Sequence, residues 1–76
     1  MLKIYTTPTC VYCQMAKEFF KENNVSYQEH DVSSDAKARE EMINKSNQMG
    51  VPVIEVNDEI IIGFDKERLS ELLDIK

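Results

Sequence analysis

The sequence predicts an α/β fold: one four-stranded mixed sheet flanked by helices, in the order β-α-β-α-β-β-α. Three observations lead there. In the first half, short β-rich runs alternate with helical stretches, the pattern of parallel strands joined by helical crossovers. In the second half, two apolar runs are separated only by Asn57-Asp58, the spacing of a hairpin. The chain has 76 residues, enough for one domain spanning 1–76.

The elements follow in order. Leu2–Thr6 alternates and is rich in β-formers, so it reads as the first strand. Thr7-Pro8-Thr9 is a loop. From Cys10 or Val11 to about Asn23 the spacing turns helical, with Cys13, Ala16, Phe19, Phe20 and Asn23 on one face. Asn23-Asn24 ends that helix, because Asn tolerates the left-handed conformation. Val25–Val32 reads as the second strand. Ser33-Ser34-Asp35 is an N-cap cluster for a helix over Asp35–Lys45, with Ala38, Met42 and Ile43 facing inward. Val51–Val56 and Glu59–Ile62 are the third and fourth strands. Asp65 caps a last helix through Leu69, Leu72 and Leu73. A right-handed crossover makes the first two strands parallel neighbours.

Composition narrows the function. A hydrophobic content of 42% suits a globular domain. The net charge of −5 disfavours nucleic acid as a partner, since phosphate binding needs Lys and Arg. No apolar run approaches the roughly 20 residues that span a bilayer. The N-terminus carries no secretory pattern. The expectation is a cytoplasmic monomer that engages neither membrane nor nucleic acid.

The two cysteines, Cys10 and Cys13, are separated by two residues. A loop this short gains little chain entropy on closure, so the pair reads as chemistry and not as a staple. It sits where the first strand ends and the first helix begins. Helix N-termini carry unpaired N–H groups and partial positive charge, and both favour a thiolate. Cys10 lies at the helix mouth and gains most. Cys13 lies nearly one turn deeper on the same face and is expected to be less exposed and more protonated. The asymmetry defines a reaction: Cys10 attacks a substrate disulfide, and Cys13 then attacks the Cys10 sulfur and releases the product. His30 is about twenty residues away, so no Cys–His dyad is invoked. Half of a zinc site has the same Cys spacing. A closed site needs four ligands, and His30 is the only further soft or borderline one. No metal ligand set is assigned.

The chain has two prolines and two glycines, Pro8, Pro52, Gly50 and Gly63, and all four are expected around one site. With them in place the sequence resembles the glutaredoxin family from end to end. The resemblance rests on Tyr5-Thr6-Thr7-Pro8-Thr9-Cys10-Val11-Tyr12-Cys13, on Gln48-Met49-Gly50-Val51-Pro52-Val53-Ile54 and on Ile62-Gly63-Phe64-Asp65. It is nearest the short bacterial glutaredoxin-like proteins of the YruB type, with the ribonucleotide-reductase redoxins also close. The resemblance implies the thioredoxin fold and a disulfide reductase. It implies a cis Val51–Pro52 peptide and a Val51 backbone that pairs with an extended substrate. It makes Gly63, Phe64 and Asp65 the far wall of the thiol groove. Asp65 and Gln48 match positions that hold glutathione in members that use it. Thr7, Gly50 and Ile62 replace residues common in those members, and Asp65 stands where the ribonucleotide-reductase redoxins tend to be basic. The electron donor is therefore open between glutathione, as a co-substrate, and a flavoprotein reductase. No bound cofactor is expected. A metal or iron–sulfur carrier using Cys10 is the alternative function.

Other residues carry weaker signals. Tyr12, between the cysteines, reads as a groove wall or substrate contact, against partial packing on the helix. Phe64 is either an exposed partner contact or a core plug. Lys17, one turn past the site, either lends positive potential to Cys10 or is solvated. Met15, Met42 and Met49 are expected to pack.

Overall fold

The structure is a computed structural model that describes residues 2–75. Met1 and Lys76, the ends of the expected 1–76 domain, lie outside the described residues. The elements are β1 (Leu2–Thr6), α1 (Val11–Glu22), β2 (Gln28–Asp31), α2 (Ala36–Ser46), β3 (Val53–Val56), β4 (Glu59–Ile62) and α3 (Lys66–Leu72). The strands form one sheet in the order β2-β1-β3-β4. β1 runs parallel to β2 and antiparallel to β3, and β3–β4 is an antiparallel hairpin. The element order, the parallel β1–β2 pair and the antiparallel β3–β4 hairpin are those the sequence predicts; the antiparallel pairing of β1 with β3 is added by the structure.

Strand periodicity sorts the core into two layers. Ile4 pairs with Ile54, and both join Leu2, Val56 and Ile61 on one face. α1 covers that face with Ala16, Phe19 and Phe20, and α3 with Leu69. Tyr5 pairs with Val53 on the opposite face, where Val32 and the α2 residues Ala38 and Met42 pack. His30 stacks on Tyr5 with ring centroids 5.4 Å apart.

Element ends differ from expectation for identifiable reasons. β2 begins at Gln28, three residues after the expected start at Val25. Val25 instead closes α1: Asn24 is left-handed (φ 56), its N–H donates to Lys21 O, and Val25 N–H donates to Phe20 O at 2.8 Å. That is a Schellman termination, and Asn24, not Asn23, is its left-handed residue. β3 begins at Val53 instead of Val51, past Pro52, which has no N–H to give the ladder. α2 begins at Ala36 with Asp35 as its cap; the Asp35 carboxylate accepts from Lys37 N and Ala38 N. Asn57 alone of the hairpin pair is left-handed (φ 55). Among the described residues, no helix is long and apolar enough to cross a membrane.

Phe20 is fully buried between α1 and the sheet. Phe20→Ala should destabilise the protein by about 3–5 kcal/mol, read from urea unfolding midpoints. A loss below about 1 kcal/mol would contradict this packing.

Candidate active site

Strand register gathers the candidate residues at one edge of the sheet. Tyr5 pairs with Val53, and Val53 with Ile62. The loop after β1, the segment before β3 and the segment after β4 therefore emerge together. These carry Thr7–Cys13, Gln48–Pro52 and Gly63–Asp65.

Cys10 is the N-cap of α1, in extended conformation (φ −84, ψ 112). Its Sγ accepts a hydrogen bond from Cys13 N at 3.1 Å. A sulfur thus does what a Ser or Asp oxygen does at most helix starts. That N–H is one of the first-turn donors that have no partner inside the helix. Cys10 is half-buried and Cys13 is buried, at 1% exposure. Both are free thiols.

The buried sulfur is held protonated. Burial, first, and then its hydrogen bond to the Cys10 side chain push the Cys13 thiol up to about 12. A backbone hydrogen bond with Thr7 pulls the other way, Cys10 charge adds to the rise, and Lys17 opposes it. Two of the upward influences come from Cys10 itself, so they depend on the state of the outer sulfur.

The other expected residues fall into distinct roles. Tyr12 is 63% exposed beside the pair, and Val11 and Met49 are also exposed at this edge. The Val51–Pro52 peptide is cis, as the resemblance implies, and Pro52 is buried. Pro52 O accepts from Gly63 N at 2.8 Å, which ties the end of β4 to the segment before β3. Gly63 is left-handed (φ 85), a conformation that strains any side-chain-bearing residue. Phe64 is half-buried and packs edge-on against Phe19 at 5.7 Å, on the core side. The Asp65 carboxylate caps α3 by accepting from Arg68 N at 3.2 Å. The Gln48 amide is engaged within the chain: its Nε2 donates to Gly50 O at 3.0 Å, and its Oε1 accepts from Gly50 N at 2.7 Å. A Cβ on Gly50 would sit 2.7 Å from that Oε1, so the clasp needs glycine there. Met42 packs as expected, whereas Met15 and Met49 are exposed.

Sequence reasoning missed one cluster. Lys17 Nζ donates to Glu29 Oε2 at 2.9 Å, and the same oxygen accepts from Thr6 Oγ1 at 2.9 Å. Lys17 is thus neither simply solvated nor aimed at Cys10. The partners come from α1, β2 and β1, and only the parallel register of β1 with β2 brings them together. His30 faces Tyr5, and its Nε2 is buried without a hydrogen-bond partner among the described residues.

Comparison with known proteins agrees with this geometry. The glutaredoxin family model matches residues 2–61. An uncharacterized glutaredoxin-like 8.6 kDa protein in a rubredoxin operon of Clostridium pasteurianum is 45% identical over 74 residues, 97% of this chain and 99% of that protein. Glutaredoxin 3 of Escherichia coli strain K12 is 41% identical over 64 residues, 84% of this chain and 77% of that protein. The crystal structure of the thioredoxin-like protein BC3987 superposes with a TM-score of 0.89 at 38% identity, covering 95% of this chain and 99% of that one. The fold is thioredoxin-like, and the chain belongs to the glutaredoxin family.

Proposed function

We propose that this glutaredoxin-family redox protein is a dithiol–disulfide oxidoreductase, with Cys10 as the attacking sulfur and Cys13 as the resolving one. The observation that carries the reading is the 3.1 Å hydrogen bond from Cys13 N to a half-buried Cys10 Sγ at the mouth of α1, with the Cys13 thiol buried on the same helix face. Cys10 thiolate attacks a substrate disulfide, forming a mixed disulfide and releasing one substrate thiolate, which takes up a proton. Cys13 then loses its proton and bonds to Cys10 Sγ, and the second substrate sulfur departs. Once Cys10 is in the mixed disulfide it no longer carries charge or accepts the Cys13 thiol hydrogen bond. Both of its restraints on Cys13 ionisation then lapse, and burial, the Thr7 backbone hydrogen bond and Lys17 remain. The inner sulfur is thereby readied after the outer one has reacted.

Substrates are disulfides of proteins or small molecules, held against exposed Tyr12, the Val51 backbone and the Gly63–Asp65 segment. Gln48 supports that groove by fixing Gly50 beside Val51. The protein disulfide is re-reduced by glutathione or by a flavoprotein reductase, and the reducing cytoplasm is the proposed compartment. The protein acts as a monomer with no bound prosthetic group.

Cys10→Ser should abolish disulfide reduction, and Cys13→Ser should accumulate mixed disulfides visible by mass spectrometry. Full activity in the Cys10→Ser protein would refute the assignment. Offered glutathione with its reductase, and separately a thioredoxin-reductase system, the oxidised protein should be reduced by at least one; resistance to both would count against the reading.

The Cys13 thiol also sets a pH dependence of stability. An unfolded cysteine ionises near 8.5, whereas folded Cys13 holds its proton up to about 12. Its contribution is intact below the unfolded value and is lost as pH rises toward the folded one. The reduced protein should therefore lose up to about 1.4 kcal/mol per pH unit across that window, relative to Cys13→Ser, in urea unfolding. Identical slopes for the two proteins would contradict a buried, protonated Cys13.

A further inference from the structure

The resolving step asks a buried thiol to ionise. The Cys13 S–H proton leaves, the Cys13–Cys10 bond forms, and the bond from Cys10 to the substrate sulfur breaks. The departing substrate thiolate takes up a proton, and over the two exchanges together two electrons pass from the dithiol to the substrate. Negative charge on a sulfur that is 1% exposed needs a compensating positive charge close by.

Lys17 meets that need by position. It lies four residues beyond Cys13, so the two side chains share one face of α1. It is anchored from two other elements. Its Nζ is 2.9 Å from Glu29 Oε2 on β2, and Thr6 Oγ1 donates to that same oxygen from the end of β1. Thr6 is itself 1% exposed, and the loop to Cys10 begins at the next residue. Lys17 and Glu29 remain partly exposed, with side chains 26% and 39% accessible, and their ion pair anchors the ammonium of a residue on the helix face that carries the inner sulfur.

The surrounding charges agree. Burial and Cys10 on the loop oppose Cys13 ionisation; the Thr7 backbone hydrogen bond favours it, and so does Lys17, the one charged group that does. The Lys17 ammonium is favoured first by its hydrogen bond to Glu29 on β2, and further by charge on Tyr27 just before β2 and on Cys13. Asp31 on β2 bears on Glu29, whose carboxyl is held down chiefly by the hydrogen bond from Lys17.

We propose that Lys17, held by Glu29 and Thr6, is the positive charge that stabilises the Cys13 thiolate during resolution, with Glu29 as its positioning residue. The assignment rests on the dithiol reading of Cys10 and Cys13.

The test separates the two chemical steps with a peptide disulfide as substrate. Mixed-disulfide formation is timed in the Cys13→Ser background, and release of the second thiol is timed in single turnovers with Cys13 present, from neutral to mildly alkaline pH. Lys17→Gln should slow release by about tenfold at neutral pH and move its pH profile toward alkaline values, while mixed-disulfide formation changes by less than about twofold. Lys17→Arg should restore release, and Glu29→Gln should slow it by a smaller factor. Unchanged release in Lys17→Gln, equal slowing of both steps, or an Arg variant as slow as the Gln variant would each overturn the proposal. Absence of any mixed disulfide in the Cys13→Ser protein would instead defeat the dithiol reading itself, and this inference with it.

Discussion

The hydrogen bond from Cys13 N to Cys10 Sγ joins the stability of α1 to the chemistry of the site. At the start of a helix the first N–H groups have no partner within the helix. In α1 one of them is satisfied by a sulfur, and this fixes where the sulfur points. The cap cannot drift, because α1 is pinned to the sheet through Ala16, Phe19 and Phe20. The periodicity that buries those three also buries Cys13, which precedes Ala16 by three residues on the same face. One helix therefore presents an outer sulfur at its mouth and an inner sulfur beneath it.

The sheet supplies the rest of the site through register. Three segments leave the same sheet edge because β1, β3 and β4 pair as they do. The segment before β3 is shaped by the Gln48–Gly50 clasp and by the bond between Pro52 and Gly63. The polar cluster of Lys17, Glu29 and Thr6 depends on β2 lying parallel beside β1. Each feature is local in space and scattered along the chain, which is how a short domain assembles a site from few residues.

Much of this was legible in the sequence. Helix α1 was readable because its apolar positions recur at helical spacing, and the Cys pair because it opens that helix. The caps at Asp35 and Asp65 were readable from residue type. The start of β2 was not: Val25 looks like a strand residue, and its N–H is taken by the end of α1. Local propensity cannot weigh that competition. Hydrophobicity alone makes Met15 and Met49 look like packing residues, and both are exposed. The resemblance makes Gln48 a ligand contact, and its amide turns back on Gly50, a choice set by loop geometry that no spacing encodes. The ion pair of Lys17 with Glu29 crosses twelve residues and follows only from tertiary register.

The division of labour between the two sulfurs is tested most directly by their reactivity. Reduced protein is treated with limiting iodoacetamide at neutral pH, and the modified residue is identified by peptide mass spectrometry. The outer sulfur at position 10 should take essentially all of the label while Cys13 stays unmodified. Label on Cys13, or an even split between the two, would contradict the account.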